Sequence, residues 1–284
     1  MRIADKQRSS MTGDLAAAID RKELTLAYQC IVDLPTSRIV GCEALLRWKH
    51  AEHESISPSV FIPIAEKSGL IVPIGKWALL EASRAATNWP SDMTIAVNLS
   101  TRQLGHPAIA DEIFDIVTST GLSLDRLELE ITESCVARDT FVAHRVLRML
   151  RERGVRIALD DFGTGYSSMA QLNALPVDRI KLDRSFVAGL TGDNSAKSIS
   201  IVYSLIYLAR MMNLAVTAEG VESALELEHL HELGCKSAQG FYFAEPMEES
   251  ALLAFLHECG GVISHSRRAL NSRMNSNSSL AAFA

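Results

Sequence analysis

The chain has no C-x-x-C pair, no surplus of basic residues, no apolar leader and no uninterrupted hydrophobic run of membrane-spanning length. Each absence excludes something. The cysteines, Cys30, Cys42, Cys135, Cys235 and Cys259, are odd in number and scattered. That speaks for reduced thiols in the cytoplasm and against a disulfide framework. Lys and Arg total 28 against 34 Asp and Glu, a formal net charge of -6. A protein that binds DNA or RNA duplexes needs a basic surface instead. The first eight residues, Met-Arg-Ile-Ala-Asp-Lys-Gln-Arg, lack the apolar core of a signal peptide. The most apolar long stretch, residues 199–216, is broken by Ser200, Ser204, Arg210 and Asn213, so it reads as a buried amphipathic helix rather than a membrane span.

What is present is ordinary globular composition: 284 residues, 48% hydrophobic and 22% charged. Residues 1–22 read as a helical lead-in. Residues 23–258 alternate between short period-two segments and longer segments of helical spacing. Strands are expected at 39–45, 94–99, 127–132, 156–160, 179–183, 215–219 and 238–243, with 27–32 as an eighth. Helices are expected at 61–66, 76–88, 109–120, 141–153, 198–212 and 224–233, and Gly154 and Gly234 stand where helices stop. About eight strands alternating with helices over roughly 235 residues predict an α/β fold, a (β/α)8 TIM-type barrel. No G-x-G-x-x-G follows the first strand, which weakens a dinucleotide-binding open sheet. Residues 259–284, rich in Ser and Asn, read as a disordered tail.

The polar residues within the strands are the informative feature. Side chains alternate across a strand. If the apolar face packs on the outer helices, Glu43, Asn98, Glu130, Asp160, Asp161, Lys181, Glu219 and Gln239 point into the barrel. Most come late in their strands, at the end where such barrels carry their active sites. Two carboxylates about 4 Å apart repel by roughly 4 kcal/mol at an effective dielectric near 20. One lysine cannot neutralise Glu43, Glu130, Asp160, Asp161 and Glu219 together. Either several are protonated or cations lie among them. Carboxylates with an Asn carbonyl favour hard divalent ions such as Mg²⁺ or Mn²⁺. The adjacent Asp160 and Asp161 suit a two-metal site of the kind that serves in-line displacement at phosphorus.

These residues stand in recognisable motifs. Glu43-Ala44-Leu45 lies within Glu-Ala-Leu-Leu-Arg-Trp. After it come Val97-Asn98-Leu99-Ser100, then Glu128 to Glu133 (Glu-Leu-Glu-Ile-Thr-Glu), and the run Asp160 to Ser168 (Asp-Asp-Phe-Gly-Thr-Gly-Tyr-Ser-Ser). Ile180 to Phe186, Ala218 to Glu222 and Ala238-Gln239-Gly240 complete the set. In this order the chain resembles the EAL family of cyclic di-GMP phosphodiesterases over residues 23–258. The resemblance implies a barrel whose first strand is antiparallel to the rest, and hydrolysis of cyclic di-GMP to linear pGpG with two Mg²⁺ or Mn²⁺ ions, Ca²⁺ being inhibitory. It implies Glu43, Asn98, Glu130 and Asp160 as ligands of one ion, and Asp160 and Asp161 around the second. Lys181 matches the residue that orients or deprotonates the attacking water, Glu219 the carboxylate near the second ion, and Gln239 a holder of the water network. Arg47, Gln29 and the Leu46 backbone match substrate contacts. Glu133 matches a residue bracing the loop from Asp161 to Ser168.

The departures are Cys30, where the family often has proline, and Ala244-Glu245-Pro246 near the end. Neither removes a ligand. A homodimer through the loop and helix after Asp161 is expected by resemblance. The short lead-in leaves a separate sensory or cyclase domain unexpected in this sequence, so regulation is expected from dimerisation, a protein partner or expression. The alternative function is a non-hydrolytic cyclic di-GMP receptor acting through a partner; its usual mark, a missing ligand, is absent. Among residues outside the set, His50, His53, His229 and His231 are read as solvated, Met211 and Met212 as helix packing, and Trp48, Trp77 and Trp89 as core or rim. Asp183 is read as facing inward with a structural role beside Lys181.

Overall fold

The computed structural model describes residues 11–52, 54–132, 140–163, 169–192 and 195–263. Its strands are β1 (Leu24–Asp33), β2 (Ile39–His50), β3 (Glu54–Ile56), β4 (Thr94–Asn98), β5 (Leu127–Thr132), β6 (Arg156–Phe162), β7 (Arg179–Leu182), β8 (Ala215–Ala218) and β9 (Ser237–Ala238). Eight of them close a barrel in the order β1-β9-β8-β7-β6-β5-β4-β2, with β2 pairing back to β1; β3 is a short hairpin arm on β2. From β2 through β9 the barrel strands run parallel. β1 is antiparallel to both its neighbours. This is the predicted barrel with its reversed first strand.

Strand alternation sorts the side chains. Ile95 and Val97, Leu127, Leu129 and Ile131, Ile157 and Leu159, and Ile180 and Leu182 belong to one apolar core with the inner faces of the helices. Those helices include Ile71–Ala86, Ile109–Thr120, Thr140–Glu152, Ser195–Met211 and Glu249–Cys259. The intervening residues of each strand are left for the barrel interior. Helix starts are set locally: Ser100 and Ser223 form capping boxes with Gln103 and Glu226, satisfying amide groups that the first helical turn leaves without partners. A second apolar cluster joins Leu15 and Ala18 to Trp48, Phe61 and Ile74, and so seats the helix over residues 11–17 against the outer end of β2.

Several expectations need correction. The segment expected as a strand over 238–243 pairs only through Ser237–Ala238; beyond it the chain turns at Gly240, whose φ is +158°. Asp183 does not point inward. It ends β7 as the N-cap of helix Arg184–Ala188, accepting from the Ser185 amide at 3.0 Å. His50 is not on a solvated loop but is buried at the end of β2, edge-on to Trp48. His53 lies outside the described residues. Met212 packs on the core, whereas Met211 is 64% exposed. Past Cys259 the chain packs back on the barrel: Ile263 is buried, and its amide donates to the Ser37 carbonyl at 2.9 Å. Residues 264–284 lie outside the described residues. Among the described residues, no helix is long and apolar enough to cross a membrane.

Candidate active site

Lys181 is the hub. It is 1% exposed at the barrel axis. Its Nζ lies 2.6 Å from Glu219 Oε1, 2.8 Å from Glu130 Oε2, 3.2 Å from Glu43 Oε2 and 3.6 Å from Asp160 Oδ1. These carboxylates come from β2, β5, β6 and the residue after β8, so only barrel closure brings them together. Asn98, the last residue of β4, donates from Nδ2 to Glu43 Oε1 at 2.9 Å. Gln239 donates from Nε2 to Glu43 Oε2 at 2.7 Å and to Glu219 Oε1 at 3.3 Å. Seven of the eight residues predicted to converge are thus in direct contact.

The eighth is Asp161. Strict alternation would turn it away from Asp160. Instead the β6–β7 register shifts between Leu159 and Phe162, and Asp161 takes a left-handed backbone, φ +55°. A bulge of this kind re-aims side chains beside active sites. Oxygens of Asp160, Asp161 and Glu219 all lie within 4.8 Å of one another.

The charges are unbalanced. Burial raises the Glu43 carboxyl, but Lys181 and the hydrogen bonds from Gln239 and Asn98 outweigh it and hold Glu43 below its ordinary value. Glu130 is pushed well above its ordinary value by burial and then by the Glu43 charge. Burial likewise lifts Glu219, against Lys181, to about 8. Burial works against the Lys181 charge, yet Glu130, Glu43, Glu219 and Asp160 raise it well above the usual lysine value. Glu130 faces Lys181 as an ion pair without a directed hydrogen bond. Its two carboxylate oxygens and Gln239 Oε1 are buried without hydrogen-bond partners, an arrangement that costs free energy unless something else satisfies it. All-oxygen donors, uncompensated negative charge and orphaned buried oxygens fit a hard divalent cation.

Beside the acidic floor opens a cavity of about 410 Å³, lined by Leu46, Arg47, Asn98, Ser100, Glu130 and Thr132 and walled by Pro58, Ile62 and Ile71. Arg47 is half-buried there, its Nη1 donating to the Leu46 carbonyl at 2.9 Å. Burial lowers its guanidinium from the ordinary value, with Glu43 opposing. Gln29 stands directly across from Glu43 in the β1–β2 register, so the two share the inner face. Glu133 lies outside the described residues.

Below this site sits a polar layer that the inward set omitted. Arg179 Nε donates to Glu128 Oε2 at 2.9 Å. Its Nη1 donates to Thr217 Oγ1 at 2.9 Å and Ser237 Oγ at 3.1 Å. The signal was in the strands: Glu128-Leu-Glu130 and Arg179-Ile-Lys181 each carry two polar residues on one face.

The EAL domain family profile matches residues 12–246. A bifunctional diguanylate cyclase/cyclic di-GMP phosphodiesterase of Pseudomonas aeruginosa, MucR, is 42% identical over 253 residues, covering 88% of this chain and 37% of the relative. The cyclic di-GMP phosphodiesterase PA2567 of the same organism is 38% identical over 248 residues, covering 86% and 42%. The chain therefore spans well under half the length of these curated relatives. Among solved structures, the MucR phosphodiesterase in complex with c-di-GMP superposes with a TM-score of 0.81 at 41% identity, covering 86% of this chain and 99% of that one. The EAL enzyme Bd1971, bound to cAMP and cyclic di-GMP, gives 0.84 at 33% identity, covering 89% and 70%. A barrel with one reversed strand, an acidic mouth gathered around a buried lysine and this profile match lead to one conclusion: the chain belongs to the EAL family.

Proposed function

We propose that this chain is a metal-dependent phosphodiesterase that hydrolyses cyclic di-GMP to linear pGpG. The observation that carries the reading is Lys181 set within 3.6 Å of carboxylates from four parts of the barrel, beside a cavity of ordinary ligand size, about 300–1,000 Å³ in general. The names of the relatives supply the substrate. Glu43, Asn98, Glu130 and Asp160 would hold one Mg²⁺ or Mn²⁺ ion, and Asp160 with Asp161 a second, near Glu219. When bound, such ions lower the pKa of a water and stabilise the oxygens entering and leaving phosphorus. The chain's own groups do the rest. Lys181 carries its proton here, held by the surrounding carboxylates, so it orients the attacking water as a donor. It can give that proton up only once those carboxylates are otherwise neutralised. Gln239 ties Glu43 to Glu219 and fixes the spacing between the two halves of the site. Arg47, Gln29 and the Leu46 backbone grip the substrate, Arg47 through its phosphate.

We place the protein in the cytoplasm as a homodimer through the segment after Asp161, answering to a regulatory partner; light scattering of a fully active monomer would remove any need for the dimer. The function itself is tested by timed chromatography of cyclic di-GMP with the protein and Mn²⁺. We expect pGpG to accumulate, to stop with chelator, to slow when Ca²⁺ replaces Mn²⁺, and to be abolished by Glu43→Ala. Tight binding without product would instead favour the receptor reading. Full activity of Glu43→Ala at limiting metal would refute the ligand assignment.

A further inference from the structure

Four residues of the site have an inward partner two positions earlier in the chain, on the strand that leads into the site. Glu128 precedes Glu130, Arg179 precedes Lys181, Thr217 precedes Glu219, and Ser237 precedes Gln239. These four earlier residues form one hydrogen-bonded cluster. Arg179 bonds Glu128, Thr217 and Ser237; Thr217 Oγ1 and Ser237 Oγ are 3.0 Å apart, and Ser237 Oγ reaches the Val216 carbonyl at 2.9 Å. The partners are buried, Glu128 3% exposed, Thr217 1% and Ser237 7%, around a half-buried Arg179. It joins β5, β7, β8 and β9, which are not all neighbours. The contact from β7 to β5 passes the intervening strand where Ala158 pairs with Arg179, and alanine has too little side chain to block it.

The layer above needs such a brace. Lys181, Glu130, Glu219 and Gln239 come from different parts of the barrel and must meet within a fraction of an ångström, although the carboxyl groups of Glu43, Glu130, Asp160 and Glu219 crowd one another around the single lysine. A functional constellation keeps its geometry only when the residues beneath it are themselves locked. We infer that Arg179 and Glu128, with Thr217 and Ser237, are positioning residues for the catalytic layer. They set the relative height of the four strands so that Lys181 and its carboxylates converge. This inference rests on the reading of that layer as the active site.

The experiment compares wild type with Arg179→Lys, Glu128→Gln and Thr217→Val. Lysine keeps the charge but lacks the planar guanidinium fork whose Nε and Nη1 reach Glu128 on one side and Thr217 and Ser237 on the other, and valine removes one hydroxyl at nearly constant volume. Crystal structures of the metal-free variants read the geometry directly. We expect the Lys181 contacts to Glu219 and Glu130, now 2.6 and 2.8 Å, to lengthen past hydrogen-bond range in Arg179→Lys. Calorimetry with Mn²⁺ and steady-state kinetics read the consequence. Residues that orient ligands are typically worth about 10- to 100-fold in metal affinity or activity. We expect losses of that order in Mn²⁺ affinity and kcat for Arg179→Lys, smaller ones for Thr217→Val, and little change in KM, because Arg47 and Gln29 are untouched. A merely structural role would lower the melting temperature and leave contacts, affinity and kcat per folded molecule unchanged; that result overturns the inference. If Arg179→Lys does not fold, unchanged contacts and Mn²⁺ affinity in Thr217→Val and Glu128→Gln overturn it equally. A wild type that makes no pGpG would sink the proposed function alone, since the contact lengths still decide the positioning role.

Discussion

The surroundings of Glu130 and Glu219 favour the protonated carboxyl over the carboxylate. Burial and neighbouring negative charge lift both, Glu219 to about 8. A divalent cation settling among these oxygens removes the reason for those protons. Binding is therefore coupled to proton release. Calorimetric titration with Mn²⁺ near neutral pH, repeated in buffers of different ionisation enthalpy, should show at least one proton released per protein. Enthalpies independent of buffer would mean that the site is already deprotonated. Lys181 behaves in the opposite sense: its four carboxylates keep it charged. The motif spelling named every one of these residues. It did not say that Lys181 would touch four of them at once, because each contact spans a different strand.

At the scale of elements, alternation locates the eight barrel strands but not the hairpin arm β3, and β5 and the helix Ile109–Thr120 start and stop where period and end signals put them. β9 was overextended because the apolar run past Ala238 mimics a strand. What occupies that place is a turn at Gly240, whose backbone amide network ties it to Val221: Val221 donates to the Gln239 carbonyl at 3.1 Å and Tyr242 to the Val221 carbonyl at 2.9 Å. A Cβ at Gly240 would overlap the Val221 backbone nitrogen and oxygen, and φ of +158° already suits glycine. Gly240→Ala should therefore cost about 3 kcal/mol or more. It should also weaken Mn²⁺ binding, since Gly240 directly follows Gln239, whose side chain bonds both Glu43 and Glu219. Urea denaturation monitored by circular dichroism checks the first effect. A loss below about 1 kcal/mol would show that the turn relaxes freely.

For the whole molecule the acidic mouth is a conditional cost to stability. The sign follows from Glu219. Its folded pKa, about 8, is above the ordinary glutamate value of 4.5, so its contribution is fully present below the unfolded value and is lost as pH rises through about 8. Glu43 is shifted the other way and contributes throughout that window. The metal-free protein should melt at a lower temperature near pH 8 than near pH 6, and Mn²⁺ should raise the melting temperature more at the higher pH, where fewer protons compete. Scanning calorimetry with chelator or Mn²⁺ at both pH values measures this. An equal metal increment at both would show that the protons are not coupled to the site.

The amino-acid sequence by itself determined the class of barrel, the family and the identity of the charged residues at its mouth. Those depend on local periodicity and on residue type, which are one-dimensional properties. Only the closed barrel decided the rest. It turned Asp161 toward Asp160 through a bulge, moved Asp183 out of the interior into a helix cap, buried His50, and set Arg179 beneath Lys181 to lace four strands together. Each of these depends on contacts between segments far apart in the chain, where register and packing, not the spelling of any one strand, fix which atoms meet.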